Sequence, residues 1–402
     1  MIRKLIEKIF MNPLLFPVCL IRTVYSMVMT LLPLYYYEIG FSMIEIGIII
    51  SIYGYAAMLM DLCSSFFIDK IKKTYLIKLG MLSIALCLVF YSLNLKYFYF
   101  QIFLQILLGL SLGLFRPASM TLTSELASPN KIGSALSFYN VANIMGSCLG
   151  PIIAISLIKI IHFQGAFLFA CILSISALIY SLFKLNFVTN AIIENKSFKI
   201  MLHFKEMFLL IFKSRLYIPI AFMLIDILIL RFWMTCLPLY IKISSGSNIE
   251  KIGIIFSIES LIYVLLQPFW GRKVDKYGYK IPLMIGLLAP AILSLTPLLI
   301  NTLWELIILY AFLGLLISAA YPAYMSLAVK CSKKEGKGKA MSLMAAASDS
   351  GYILGPTIGG IILSVWNFNI AFLFLLIPSI LGFILVIFLS NLTNKKSTNM
   401  IY

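Results

Sequence analysis

The chain has 402 residues, of which 62% are hydrophobic and only 12% are charged, and its mean hydropathy is +1.02. A soluble domain carries about 25% charged residues, so this composition excludes a water-soluble globular protein. The formal net charge of +17 would suit a nucleic-acid partner, but the basic residues stand in short clusters between apolar runs, which argues against nucleic-acid binding.

Twelve apolar runs each approach or exceed the roughly 20 residues that a helix needs to cross a membrane. They show no apolar–polar alternation, and a backbone in lipid must form its hydrogen bonds internally, so they are predicted to be helices. In chain order they are 13–37, 46–68, 75–95, 97–121, 133–157, 164–186, 216–241, 252–270, 281–300, 304–329, 340–364 and 369–391. The sequence therefore predicts an all-α integral membrane protein with 12 transmembrane helices.

The basic residues fall mainly on one side of these spans. With the N-terminus in the cytoplasm, the cytoplasmic segments hold 25 lysines and arginines, and the outer segments hold 4. This bias predicts that both termini are cytoplasmic. We expect the chain in the plasma membrane of a bacterium, with membrane lipids as the neighbours of its basic segments.

The longest polar gap between spans, 187–215, divides the spans six and six. It predicts an N-terminal six-helix bundle over 1–186, a cytoplasmic linker over 187–215 and a C-terminal six-helix bundle over 216–402. The linker contains a basic amphipathic segment, which suits either a helix on the inner membrane surface or a plain connection.

The two halves repeat each other. "LLPLYYYEIGFSMIEIGIIIS" at 31–51 is similar to "CLPLYIKISSGSNIEKIGIIFS" at 236–257, and "GSCLGP" at 146–151 matches "GYILGP" at 351–356, which lies 205 residues later. Internal repeats of this kind are typical of secondary transporters, which bind their substrates between the repeats. The two bundles are therefore predicted to be pseudo-symmetric.

A glycine-spaced charged motif, "GRKVDKYGYK" at 271–280, has a degraded copy, "SFFIDKIKKT", at 65–74. Gly271 would let a helix end pack closely, and Gly278 would allow a turn with positive φ. Asp275 would be stabilised at the N-terminus of a helix from the other repeat. The motif suits a gate that latches one conformation, or else a charged turn that only sets topology. The residues of this gating hypothesis are Asp69, Lys70, Lys73, Gly271, Asp275, Lys276, Gly278 and Lys280.

These motifs resemble those of the major facilitator superfamily. "GRKVDKYGYK" is similar to the superfamily signature between the eighth and ninth helices, and "GYILGPTIGG" at 351–360 resembles a signature of the drug:proton antiporter branch. The resemblance covers essentially the whole chain. It implies the major facilitator fold, a small-molecule substrate, protons as a partner, no cofactor or metal, and a chain that works as a monomer. Close packing and bending of helices are expected at Gly146, Gly150, Pro151, Gly351, Gly355, Pro356 and Gly359.

Seven ionisable residues lie in the interior of the predicted spans, away from their ends, and each costs roughly 2.5–3.5 kcal/mol at a helix centre. They should therefore face a polar cavity or one another. They stand on the first, second, fourth, seventh, eighth and eleventh spans, and in the resemblance the third, sixth, ninth and twelfth spans are the outer helices. The candidates for proton coupling or the substrate cavity are Glu259, Asp349, Asp226, Arg231, Arg22, Arg116, Gln105 and Asp61.

The candidate roles follow from the chemistry of each side chain. Glu259 and Asp349 rank first for proton coupling, because a carboxyl group removed from water holds its proton more readily. The arginines cannot release a proton, so they would hold an anionic group or a carboxylate. Asp61 lies two helical turns from Asp69 and suits a gate.

Two positions depart from the antiporter branch that the chain resembles. That branch has an arginine in the fourth helix, four residues before a glycine, and here Gln105 precedes Gly109. The acid often found in its first helix is also missing, and Arg22 is the only charge in the first span. These departures leave the driving ion open.

The sequence predicts a secondary active transporter that is not an enzyme, and export of small amphipathic compounds in exchange for protons is the leading hypothesis. Import or facilitated diffusion of a polar metabolite on the same fold is the alternative, and a membrane sensor that does not transport is the third. "GLSLG" at 109–113 matches a serine-hydrolase motif, but it lies inside an apolar run with no strand before it.

Overall fold

The computed structural model describes residues 13–67, 71–126, 132–185, 211–212, 215–244, 250–294, 303–331 and 337–398. Within these ranges the longer helices are α1 (Leu15–Glu38), α2 (Met43–Phe67), α3 (Lys73–Ser92), α4 (Phe98–Glu125), α5 (Ile132–Lys184), α6 (Tyr217–Ser244), α7 (Glu250–Tyr277), α8 (Lys280–Leu293), α9 (Leu303–Cys331), α10 (Lys337–Val365), α11 (Phe368–Leu373) and α12 (Leu376–Thr398).

Each of the twelve predicted spans coincides with helix in the described residues, which confirms the all-α membrane fold. α5 contains the fifth and sixth spans, and its backbone leaves the helical region at Ile161 and His162 between them. α11 and α12 together form the twelfth span. In the described part of the chain, 9 helical stretches are long and apolar enough to cross a membrane. α8 has 14 described residues, ending at Leu293.

Large apolar side chains are exposed along helices that the resemblance places on the outside of the fold. On α3 they include Leu79, Leu82 and Leu86, and on α12 they include Ile380 and Ile384. A soluble protein rarely exposes such continuous apolar surface. Lipid acyl chains would cover these rows, so the exterior of the helices supports the membrane assignment.

The first compact unit comprises Met1–Lys196 together with Leu237–Ser257. In it α1 packs most extensively against α5, α2 packs against α4, and α3 packs against α4 and α5. Small residues set these approaches. A Cβ atom built on Gly109 of α4 would lie 2.5 Å from the Tyr53 carbonyl oxygen of α2, so only glycine allows these two backbones to come so close.

The second compact unit comprises Ser197–Cys236 together with Ile258–Tyr402, and its helices pair in the same way. α8 packs against α9 and α12. Gly314 of α9 is the equivalent of Gly109 in the repeat, 205 residues later. A Cβ atom built on Gly314 would lie 2.6 Å from the Glu259 carbonyl oxygen of α7. The repeat seen in the sequence is thus also a repeat in how the helices contact each other.

The predicted bundle boundaries are not settled by the described residues. Almost all of the predicted linker, 187–215, lies outside the described residues, so its amphipathic segment stays a prediction. The compact units differ from the predicted bundles at one segment, because Leu237–Ser257 groups with the first unit and not with the C-terminal half of the chain.

Candidate functional site

In the first unit, Arg22 of α1 meets the polar face of α5. Its Nε donates a hydrogen bond of 2.8 Å to Oγ of Ser147, and its guanidinium lies 4.8 Å from the centre of the Tyr25 ring. Ser26 of α1 donates to the Ser147 carbonyl oxygen at 3.0 Å. Glycine makes this proximity possible, because a Cβ atom on Gly146 would lie 2.8 Å from Cβ of Arg22.

Asp61 of α2 and Arg116 of α4 form an ion pair within the first unit. The Asp61 side chain is 15% exposed and the Arg116 side chain is 44% exposed. Tyr139 of α5 lies in the field of both Arg116 and Arg22, and its hydroxyl is 2.9 Å from Oγ of Ser119. Two of the charges that the sequence placed inside spans therefore face each other, as expected of charges in a membrane.

We expect Asp61→Asn or Arg116→Gln to lower the free energy of unfolding by about 1–2 kcal/mol, because each leaves one partner of a partly buried pair uncompensated. The double exchange Asp61→Arg with Arg116→Asp should recover part of that loss. The measurement is the thermal midpoint of the protein in detergent. Glu38→Gln is the matched control, because Glu38 pairs with Lys242 through a side chain that is 56% exposed. If Asp61→Asn, Arg116→Gln and Glu38→Gln lowered the thermal midpoint equally, the Asp61–Arg116 ion pair would stabilise the protein no more than the exposed pair does.

Gln105 of α4 lies in the core of the first unit. It is completely buried, and its Nε2 donates a hydrogen bond of 2.9 Å to the Tyr36 hydroxyl, which is 2.9 Å from the Tyr91 hydroxyl. Its described side-chain contact is thus with α1, and its role in a cavity stays a prediction. Its spacing in the sequence showed that it shares a face of α4 with Gly109, but not which helices that face contacts.

In the second unit, Glu259 of α7 is only 4% exposed. Its Oε2 is buried and has no hydrogen-bond partner among the described residues. It interacts electrostatically with Arg231 and with Asp226, both on α6. One turn farther along α7, Tyr263 interacts with Glu259 and hydrogen-bonds to Gln267. Two carboxyl groups and one guanidinium thus share one buried region of this unit.

Two tyrosines complete this cluster. The Tyr324 hydroxyl of α9 donates a hydrogen bond of 3.0 Å to Oδ2 of Asp226. The Arg231 guanidinium lies 3.6 Å from the centre of the Tyr352 ring of α10 and also donates to its hydroxyl. Asp226 and Arg231 are therefore held by different tyrosines.

Asp349 of α10 is 3% exposed, close to the glycines of the motif at 351–360. A Cβ atom on Gly351 would lie 2.8 Å from the Leu228 nitrogen, and one on Gly355 would lie 2.7 Å from Cβ of Arg231. The glycines predicted for helix packing therefore do bring α10 against α6. In the first unit Gly150 does the same, since its Cβ would lie 2.5 Å from Cβ of Ser26. Pro151 and Pro356 follow these glycines inside α5 and α10.

The motif at 271–280 is mostly helix, which corrects its prediction as a loop. α7 continues to Tyr277, and the chain turns at Gly278, whose φ of +83° confirms the predicted turn. The prediction that Gly271 lets a helix end pack closely is wrong in the described structure, because a Cβ atom built on Gly271 would have no atom within 4 Å. Asp275, Lys276 and Lys280 are exposed, so their latch role stays a prediction.

In the degraded copy, Lys73 begins α3 and forms an ion pair of 2.9 Å with Glu125 at the end of α4. Asp69 and Lys70 lie outside the described residues. Lys73 thus joins two helices of its own unit. No sequence pattern indicated Glu125 as its partner, because the two residues are more than fifty positions apart.

We expect Gly278→Ala to lower the free energy of unfolding by about 1 kcal/mol, because alanine must adopt a positive φ there. The Gly278 nitrogen also caps α7 by donating to the Val274 carbonyl oxygen at 2.9 Å. Gly271→Ala should leave stability unchanged or raise it slightly, because it lies in a helix with open space around it. Thermal midpoints in detergent compare the two, and a larger loss for Gly271→Ala would contradict this reading.

The sequence reasoning missed the neutral residues that hold the charges, namely Ser147, Tyr324 and Tyr352. A signal existed for one of them, since Tyr352 follows Asp349 by three residues and shares its face of α10. Among the described residues, no group of three or more His, Cys, Asp or Glu side chains is placed to hold a metal ion.

Comparisons with known proteins extend this picture. The Major Facilitator Superfamily model matches residues 14–248 and 232–400. Multidrug resistance protein MdtG of Salmonella arizonae is 27% identical over 366 residues, which is 87% of each chain. MdtG of Enterobacter lignolyticus is 32% identical over 133 residues, and this match spans 32% of this chain and 32% of that relative.

Solved structures show the same fold. A POT family transporter in complex with a thioalcohol-conjugated peptide has a TM-score of 0.76 and 18% identity, covering 95% of this chain and 96% of its own. The nucleoside transporter NupG has a TM-score of 0.74 and 16% identity, covering 93% of this chain and 99% of its own. Because the family model spans nearly the whole chain, the protein belongs to the Major Facilitator Superfamily and is a multi-pass membrane transporter.

Proposed function

We propose that this transporter exports small amphipathic compounds in exchange for protons, by alternating access. The observation that carries the proposal is Glu259, a carboxyl group that is 4% exposed, has an oxygen without a hydrogen-bond partner among the described residues, and lies near a guanidinium. An ionisable group buried in a membrane-spanning helix is expensive to keep and marks proton or substrate pathways. Glu259 binds the proton, and substrate binding releases it.

The direction of transport rests on two further observations. The MdtG relatives carry the name multidrug resistance protein, and one of them aligns over 87% of both chains. The closely packed "GYILGPTIGG" segment of α10 resembles a signature of the drug:proton antiporter branch. Both favour export over uptake.

The orientation follows from the distribution of charge. The 25 basic residues of one side against 4 of the other favour an orientation with both termini in the cytoplasm of a bacterial cell and the chain in its plasma membrane. Protons then enter from outside while the substrate leaves. The chain carries out this cycle as a monomer.

The experiment that tests this function uses inside-out membrane vesicles from an efflux-deficient bacterial host. Respiration generates a pH gradient, and candidate amphipathic compounds are added while a fluorescent dye reports that gradient. We expect at least one compound to dissipate the gradient only in vesicles that contain the transporter, and to be tolerated better by the host that expresses it. Binding of a compound by the purified protein without any proton movement would overturn proton-coupled export.

The second candidate is import or facilitated diffusion of a polar metabolite. The arginines in the spans favour it, and so does Gln105, which stands where the antiporter branch has an arginine. Growth of an uptake-deficient host on a single organic anion or sugar, restored by the chain, would support this candidate. The same host would then show no increase in tolerance to amphipathic drugs.

A further inference from the structure

We propose that Arg22 binds an acidic group of the transported compound, so that the substrates are amphipathic molecules that carry a carboxylate, sulfonate or phosphonate. The inference deepens the proposed function, and only its transport step rests on that function. The site lies within the first unit, between α1 and the first arm of α5. Arg22, Ser147 and Tyr25 all belong to the first unit.

The first step is that Arg22 lacks a carboxylate partner in the described part of the chain. Its contacts there are the Nε hydrogen bond to Ser147, the Tyr25 ring and the electrostatic field that it shares with Tyr139. A guanidinium inside a membrane span costs roughly 2.5–3.5 kcal/mol on insertion scales, and it cannot release its proton. A charge kept there needs an anion at some stage of the working cycle.

The second step concerns the carboxylates of the first unit whose side chains the structure describes, and these are engaged elsewhere. The four contacts are Asp61 with Arg116, Glu125 with Lys73, Glu38 with Lys242, and Glu45 with Ser42. Arg22 differs in this respect from the other two arginines in spans. Arg116 has an ion-pair partner, and Arg231 lies in the field of Glu259. Of these three arginines, Arg22 is thus the one whose charge is left, within the described part of the chain, for an anion from outside the protein.

The third step is the orientation of the guanidinium. Ser147 accepts from Nε, and its own hydroxyl donates to the Asn143 carbonyl oxygen at 3.1 Å, so the direction of both bonds is fixed. The Tyr25 ring lies against the group at 4.8 Å, which restrains its plane. The two terminal nitrogens remain for a ligand. This edge of an arginine matches two oxygens of a carboxylate, sulfonate or phosphonate.

The fourth step is that close helix packing builds this arrangement. A Cβ atom on Gly146 would lie 2.5 Å from the Cys19 carbonyl oxygen, and one on Gly150 would lie 2.8 Å from the Thr23 carbonyl oxygen. The two glycines flank Ser147, so α5 approaches α1 closely enough for a side-chain hydroxyl to reach Nε. The contact between Arg22 and Ser147 is therefore built into the interface of α1 and α5, because the backbones of both helices set where the two side chains start.

The experiment compares matched pairs of compounds that differ only in the acidic group. Purified protein in detergent is titrated with dansyl-labelled alkyl carboxylic acids of several chain lengths and with their methyl esters, and binding is followed by dansyl fluorescence. We expect each bound acid to bind at least about tenfold more tightly than its ester, which corresponds to the lower range of a charge-assisted hydrogen bond. Arg22→Gln should remove this preference, and Arg22→Lys should retain part of it.

Ser147→Ala is the positioning control, because it removes the acceptor for Nε but leaves the charge. It should weaken the preference for acids without abolishing it. Arg272→Gln is the matched arginine control, since Arg272 lies on the exposed end of α7, and it should bind like the wild type. The thermal midpoint of each variant shows that it is folded.

The outcomes separate this inference from the proposed function. Esters that bind as well as acids, acids that do not bind, or a preference that survives Arg22→Gln would each overturn the role of Arg22. Vesicle experiments in which cationic compounds exchange with protons while acids do not bind would overturn the inference and leave the function standing. Acids that bind through Arg22 but move no protons would leave the inference standing and overturn the function.

Discussion

Replacing Glu259 by Gln is expected to abolish proton release when substrate binds to the purified protein. Glutamine has nearly the same shape, but it cannot bind or release a proton in this pH range. Glu259 is buried at 4% exposure and interacts electrostatically with Arg231, so its proton is the one that we expect to respond to an anionic or amphipathic substrate. Transport driven by a pH gradient should fall to the level of empty liposomes.

The measurement is proton release into a weakly buffered solution that contains a pH indicator. Glu259→Gln should still bind substrate, and it should still exchange labelled for unlabelled substrate across liposomes, because that exchange needs no net proton movement. Glu305→Gln, a change of the same kind at an exposed position of α9, is the matched control and should release protons like the wild type. Unchanged proton release from Glu259→Gln would move the proton site to Asp349 or Asp226.

The second large effect is a loss of stability, which we expect when a single methyl group is added in Gly150→Ala or in Gly355→Ala. The new Cβ atom would lie 2.5 Å from Cβ of Ser26 in one case and 2.7 Å from Cβ of Arg231 in the other. Overpacking of this kind costs ~1–3 kcal/mol, because the backbones of both helices must move apart. Gly150→Ala should also weaken the contact between Arg22 and Ser147.

These variants are compared by their thermal midpoints in detergent and by the amount of protein that inserts in the membrane. Gly271→Ala serves as the control, because the same change is made in a helix where a Cβ atom meets no atom within 4 Å. Gly150→Ala and Gly355→Ala should each be clearly less stable than Gly271→Ala. Equal stability of all three would show that the helix contacts at these glycines are looser than described.

The sequence by itself determined the class of the protein and the positions of its spans. Span length and hydropathy are local properties, and the requirement that lipid-embedded backbone bonds internally leaves only helix for such runs. The repeat at 205 residues, the charges within spans and the turn at Gly278 were likewise visible from residue types and spacing. The length of α7 could not be seen from residue types and spacing, because the polar residues 271–277 continue the helix beyond its apolar part.

Only the tertiary structure decided which groups meet. Arg116 pairs with Asp61, which lies 55 residues away in the sequence. Arg22 donates a hydrogen bond to Ser147, which is 125 residues away, and Arg231 donates one to Tyr352, which is 121 residues away. Spacing along one helix shows which side chains share a face, but it does not show which neighbouring helix covers that face. Gln105 is the clearest case, because its position on α4 did not show that its side chain donates a hydrogen bond to the Tyr36 hydroxyl of α1. Which side chains meet depends on where glycines let the backbones of two helices approach closely. This close approach involves two helices, so the spacing along one of them does not show it.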